Sequence, residues 1–191
     1  MVSVVSGFVT LVGISFLAFM VSGSLLVSAI SALILAATPF TVFFDRMALV
    51  DSLLNALGIW SLGLGVLFIK TRRLDVAMIL GTCLGFALLT KSPAVFFFLC
   101  QPILALFFIA KRPTRHTFLK LLGGWLVAFG ISLAMYNILR LGPNFQLVGS
   151  RNQDYLYSYS EVLSHLKGPL VRNFTVTRDW LWALITPLTL F

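Results

Sequence analysis

The chain has 191 residues, of which 59% are hydrophobic and 10% charged, against roughly 25% charged in an ordinary soluble domain. This balance excludes a typical water-soluble fold and points to a single integral membrane domain over 1–191. The net charge of +8 does not signal nucleic acid, because the basic residues fall in short clusters at the ends of apolar runs and form no aromatic-studded stripe.

Runs long enough to cross about 30 Å of hydrocarbon recur along the chain. They are placed at about 3–21, 24–44, 47–69, 75–90, 93–110 and 118–139, with an incomplete seventh from 180. Helices are expected, since open sheets leave backbone groups unpaired in lipid and the runs lack the two-residue alternation of a barrel. The expected fold is an all-α polytopic bundle of about six complete transmembrane helices plus a partial seventh. Met1 leads straight into an uncharged apolar run, with no basic start or cleavage site of a signal peptide. Both that beginning and the closing WLWALITPLTLF (180–191) read as cut, so the sequence is taken as a fragment of a longer protein.

Between the second and third runs lies DRMALVD, residues 45–51, which holds three of the chain's twenty Lys, Arg, Asp and Glu residues. Asp45 reads as a residue near a helix N-terminus, where a carboxylate satisfies free amides and complements the dipole. Asp51 would then lie about 9 Å along the same helix. An ionisable group at bilayer depth needs a polar cavity or a partner. Asp51, Asn55, Gly58 and Ser61 follow at helical spacing and are expected to face the bundle interior. A pairing of Asp51 with Arg46 is the structural alternative, weakened by the i,i+5 spacing.

KTRR (70–73) and KRPTRH (111–116) are two spans apart and should emerge on one face, read as cytoplasmic from their density of basic residues. DRMALVD then lies outside. Within GTCLG (81–85), small residues four apart allow close approach of a neighbouring helix, as do Gly58, Gly63 and Gly65. Cys83 and Cys100 read as packing residues. In TKSPA (90–94), Ser92 and Pro93 suit a helix start, and Lys91 stands beside its amides on the outer face. Lys91 is either an anion contact or a side chain snorkelling to the interface.

From 140 to 179 hydropathy collapses into a loop of about forty residues, a length that is usually functional or disordered. Its aromatics argue for order. Ser160 could cap a short helix over SEVLSHL, and Arg151, Asn152, Gln153, Asp154 and Tyr155 suit a sugar or acceptor, or an ordered loop cap. Arg46 and Lys91, with Asp45 and Asp51 beside them, suit phosphate binding with an acidic partner for a proton or a metal, or an ion pathway.

The run PFTVFFDRMALVDSLLNALGIWSLGLGVLFIK, followed by GTCLGFALLTKSPAVFFFLCQPILALFF, resembles the glycosyltransferase family 39 proteins, membrane enzymes of the protein O-mannosyltransferase and aminoarabinose transferase type with the GT-C fold. The resemblance is most specific at RMALVD and TKSP. It implies transfer of a sugar from a polyprenyl-phosphate carrier to a lipid, glycan or protein acceptor on the extracytoplasmic face of a bacterial cytoplasmic membrane. By the resemblance, Arg46 contacts the carrier phosphate and Asp51 matches an acidic position, so Asp51 and Asp45 are the candidate catalytic residues. Lys91 and Asn55, with Arg151, Asn152, Asp154 and Tyr155 of the loop, are candidates for substrate binding. A divalent metal ion remains open. The family's acidic motif after its first transmembrane helix is missing here and would precede Met1. Two other readings stand beside this one: a transporter or flippase for a lipid-linked or anionic solute, and a non-catalytic membrane scaffold.

Overall fold

The computed structural model describes residues 1–47, 49–108, 114–153, 160, 164 and 167–184. Among them the regular structure is entirely helical. In chain order the helices are α1 (Val2–Ser22), α2 (Leu25–Ala37), α3 (Pro39–Arg46), α4 (Asp51–Thr71), α5 (Leu74–Thr90), α6 (Val95–Phe108), α7 (Arg115–Asn137), α8 (Gln146–Gln153) and α9 (Lys167–Leu184). Short 3-10 turns precede α6 (Ser92–Ala94) and follow α7 (Ile138–Leu141).

Among the described residues, three helices are long and apolar enough to cross a membrane: α1, α4 and α7 with its closing turn. The pair α2 and α3 makes a fourth if counted as one span, bent by 62°. The expected spans at 75–90 and 93–110 correspond to α5 and to Ser92–Phe108, apolar helices of shorter length. The expected single span at 24–44 is divided because Pro39 forces its predecessor out of the helical region. Thr38 is accordingly extended, at φ −74° and ψ 114°, and Pro39 begins α3.

Other boundaries follow from local chemistry. Gly23 adopts φ 68°, a left-handed conformation open to glycine, and ends α1. Ser24 then caps α2 by accepting from the Val27 amide, and Thr114 caps α7 by accepting from the Thr117 amide. The 140–179 segment, expected as a loop, carries α8 and most of α9, so its polar composition marks exposure more than irregular backbone. The SEVLSHL helix falls largely outside the described residues; Ser160 and Ser164 within it are helical, with Ser164 Oγ donating to Ser160 O at 2.8 Å.

The core is built on α4 and α5, whose buried side chains include Leu64, Val66, Phe68, Leu80 and Leu84. Across α4 and α1, Trp60 stacks on Phe16 and donates from Nε1 to Val9 O at 3.0 Å, while Lys70 Nζ donates to Met20 O. These pairs make the two helices parallel, since Val9, Phe16 and Met20 meet Trp60, Gly63 and Lys70 in the same order. Likewise α5 and α7 run parallel, with Gly81 against Ala128 and Gly85 against Met135. Ser132 Oγ reaches across that seam to donate to Gly81 O at 2.7 Å. The expected role of the small residues as close-approach points is therefore realised at Gly81 and Gly85, and also at Gly58 (against Phe97), Gly63 (against Phe16) and Gly65 (against Gln101). Near the start of α2, Ser28 Oγ donates to Ser15 O of α1 at 2.7 Å.

This weave gives the bundle two chemically distinct ends. At one, the last turn of α4 meets the last of α6, with the Lys70 ammonium 5.8 Å from the centre of the Phe108 ring, and the parallel helices α5 and α7 begin. Lys70, Arg72, Arg73, Arg115, His116 and Lys120 collect there, which brings the described parts of the KTRR and KRPTRH clusters together as expected. The opposite end carries Asp45, Arg46, Asp51, Lys91 and Arg140.

Candidate functional site

DRMALVD does not lie on one helix. Asp45 and Arg46 form the last turn of α3, the chain leaves the helical path after Arg46, and Asp51 is the first residue of α4. Two expectations are corrected by that break. Asp45 sits at a helix C-terminus and caps no N-terminal amides, and Asp51 does not lie a turn and a half inside a continuous helix. It is Asp51 that stands among the free amides of a first turn and complements the dipole there.

Ser52 fixes the two helices to each other. Its buried hydroxyl donates to Phe44 O at 3.3 Å, tying the first turn of α4 to the last turn of α3. Asp51 takes neither a bundle-facing position nor Arg46 as its partner. Its Oδ1 accepts from Lys91 Nζ at 2.6 Å, and both side chains are 44% exposed. Lys91 is positioned by the end of α5 and the start of α6: its backbone is extended, at φ −162° and ψ 144°, and its carbonyl accepts from the Ala94 amide at 3.1 Å. At that exposure the pair contributes about 0–1 kcal/mol to stability.

The stripe Asp51, Asn55, Gly58, Ser61 divides in two. Asn55 is exposed, whereas Gly58 and Ser61 are buried against α6. The divide follows from α6, which begins alongside the second turn of α4, so only the inner part of the stripe has a neighbour. Ser61 Oγ turns back to Gly58 O at 2.7 Å.

Asp45 and Arg46 border a cleft of about 360 Å³ between α1, α2 and α3. Val4, Phe8, Leu11, Leu35 and Val42 give it apolar walls, with Thr10 and Thr41 as polar points. The half-buried Asp45 carboxylate packs on Gly7 so closely that a Cβ on that glycine would lie 2.5 Å from Asp45 Oδ2. Among the described residues, neither Asp45 nor Arg46 forms an ion pair. An apolar slot with a cation and a carboxylate at its mouth suits an amphiphile with an anionic head.

Arg151, Asn152 and Gln153 close α8, and Asp154 and Tyr155 lie outside the described residues, as does His165. Among the described residues no group of three His, Cys, Asp or Glu side chains is arranged to hold a metal ion. Cys83 and Cys100 are free and half-buried, and Cys83 Sγ points at Leu57 O at 3.4 Å, in keeping with packing.

Gln101 stands outside the residues singled out from sequence. This side chain is fully buried between α6 and α4, where its Nε2 donates to Phe97 O at 3.1 Å and weakly to Ser61 O at 3.4 Å. Its Oε1 has no hydrogen-bond partner and rests against Gly65. The signal was present: an amide inside the run VFFFLCQPILALFF is a polar group at membrane depth. Comparison with protein-family models, curated proteins and solved structures finds no match to this chain.

Proposed function

We propose that this chain is part of a membrane glycosyltransferase of the family 39 type, transferring a sugar from a polyprenyl-phosphate carrier to a lipid, glycan or protein acceptor. The observation that carries this reading is the grouping of Arg46 and Asp45 at the mouth of an apolar cleft, at the same end of the bundle as Lys91 and Asp51. In this reading α5 and α6 complete a set of six crossings, and that end faces the extracytoplasmic side.

The cleft receives part of the isoprenoid chain, and Arg46 holds the phosphate. Its guanidinium then stabilises the negative charge that grows on the leaving phosphate as the glycosidic bond breaks. Asp45 is the carboxylate nearest that phosphate and free of an ion pair, so it is the residue placed to accept a proton from an acceptor hydroxyl. Arg46→Ala in the intact membrane-inserted protein should abolish sugar transfer from a polyprenyl-phosphate-linked sugar while insertion and folding persist. Full activity in that variant would reject the assignment.

The 62° break between α2 and α3 favours a second reading, a carrier for a lipid-linked or anionic solute, because interrupted helices border such paths. Reconstituted vesicles separate the two. Movement of labelled lipid without formation of a glycosidic bond would support the carrier.

A further inference from the structure

Lys91 is a cation already in use. Its ammonium meets Asp51 at 2.6 Å across forty positions of sequence, so any other anion must take Lys91 away from that carboxylate or share it. The two partners differ in freedom. Asp51 starts α4 among first-turn amides that favour its charge, and its neighbour Ser52 is bonded to Phe44 O, so the carboxylate is held in place. Lys91 lies between helices on an extended backbone and carries its charge on a flexible four-carbon stem. When the pair opens, it is the ammonium that moves.

We infer that Asp51 is an internal competitor for the anion site at Lys91: the lysine exchanges a carboxylate of its own chain for the phosphate of the ligand. This rests on the phosphate-binding reading of the site proposed above. The exchange makes the site self-neutralising and sets its affinity below what Lys91 alone would give. Because the pair is partly exposed, the carboxylate resists by only a modest amount, and phosphate displaces it.

The test uses the intact protein in phosphatidylcholine nanodiscs, titrated with farnesyl phosphate and, in a parallel arm, with inorganic phosphate. Asp51→Asn should tighten binding roughly two- to five-fold, the worth of an exposed ion pair. Lys91→Met should weaken it about ten-fold or more, the loss of a charge-assisted contact. In the Lys91→Met background, Asp51→Asn should bring no gain, and Asp51→Glu should keep the affinity of the unsubstituted protein. Tightening confined to farnesyl phosphate identifies a lipid phosphate as the ligand, and equal tightening of both probes identifies free phosphate. An unchanged or weaker affinity in Asp51→Asn overturns the exchange, as does a gain that survives undiminished beside Lys91→Met. A protein that binds neither probe overturns the anion site itself, a different result from a site that binds through Lys91 without regard to Asp51.

Discussion

The seam between α5 and α7 carries the sharpest quantitative expectation. A Cβ on Gly81 would lie 2.6 Å from Ala128 O and 2.8 Å from Ala128 Cα, and these are backbone atoms that cannot swing aside. Restoring an ordinary contact of 3.4 Å requires the helices to part by about 0.8 Å. Three effects compete in Gly81→Ala. Helix propensity favours alanine by about 1 kcal/mol. Overpacking opposes it by about 1–3 kcal/mol. Separation also stretches the Ser132 Oγ to Gly81 O bond, now 2.7 Å and worth about 0.6 kcal/mol between membrane helices. The net expectation is destabilisation by about 0.5–2.5 kcal/mol, since overpacking and the stretched bond together outweigh the gain in propensity. Gly123 and Gly130 on α7 supply the control, because a Cβ at either meets nothing within 4 Å. Alanine there should be neutral or mildly stabilising. Reversible unfolding by sodium dodecyl sulfate in bicelles, followed by tryptophan fluorescence, measures all three. A Gly81→Ala protein as stable as Gly123→Ala would refute the close parallel packing of α5 on α7.

Three further expectations follow from single contacts. Gln101→Leu should leave stability unchanged or raise it, because it removes an orphaned buried carbonyl oxygen, whereas Gln101→Glu should cost about 2 kcal/mol or more in the same unfolding assay. Trp60→Phe keeps a ring beside Phe16 but loses the donor to Val9 O, so it should cost about 0.5–1.5 kcal/mol. Gly7→Val should push the Asp45 carboxylate out of the cleft without altering its charge, and should lower sugar transfer at least ten-fold while near-ultraviolet circular dichroism stays the same.

Hydropathy located the helices well because an apolar run of membrane length has one way to satisfy its backbone. Its ends were harder. Nothing in DRMALVD forbids a helix: no proline or glycine interrupts it, and the break between Arg46 and Asp51 is imposed by how α3 and α4 pack. The bend at Thr38 was legible, since the residue before proline leaves the helical region, but the apolar stretch on both sides masked it. Asp51 and Lys91 were placed at the same end from sequence alone. Their pairing was not, because forty residues separate them and only the antiparallel return of α5 beside α4 brings Lys91 level with the start of α4. The cleft was invisible for a similar reason: Val4, Leu35 and Val42 belong to three helices and look like ordinary lipid-facing residues until the bend folds α3 over α1.

That bend has a mechanical consequence. An eight-residue helix is about 12 Å long, so at 62° to α2 it advances only about 6 Å along the α2 axis while reaching about 11 Å to the side. Arg46 rides at the tip of this crank. A turn of α2 by about 10° around its own axis would sweep the guanidinium by about 2 Å, enough to break or make a hydrogen bond. The azimuth of α2 thus governs where the cation stands, and the Ser28 hydroxyl on Ser15 O, far down the shaft, is one of the pegs that sets it.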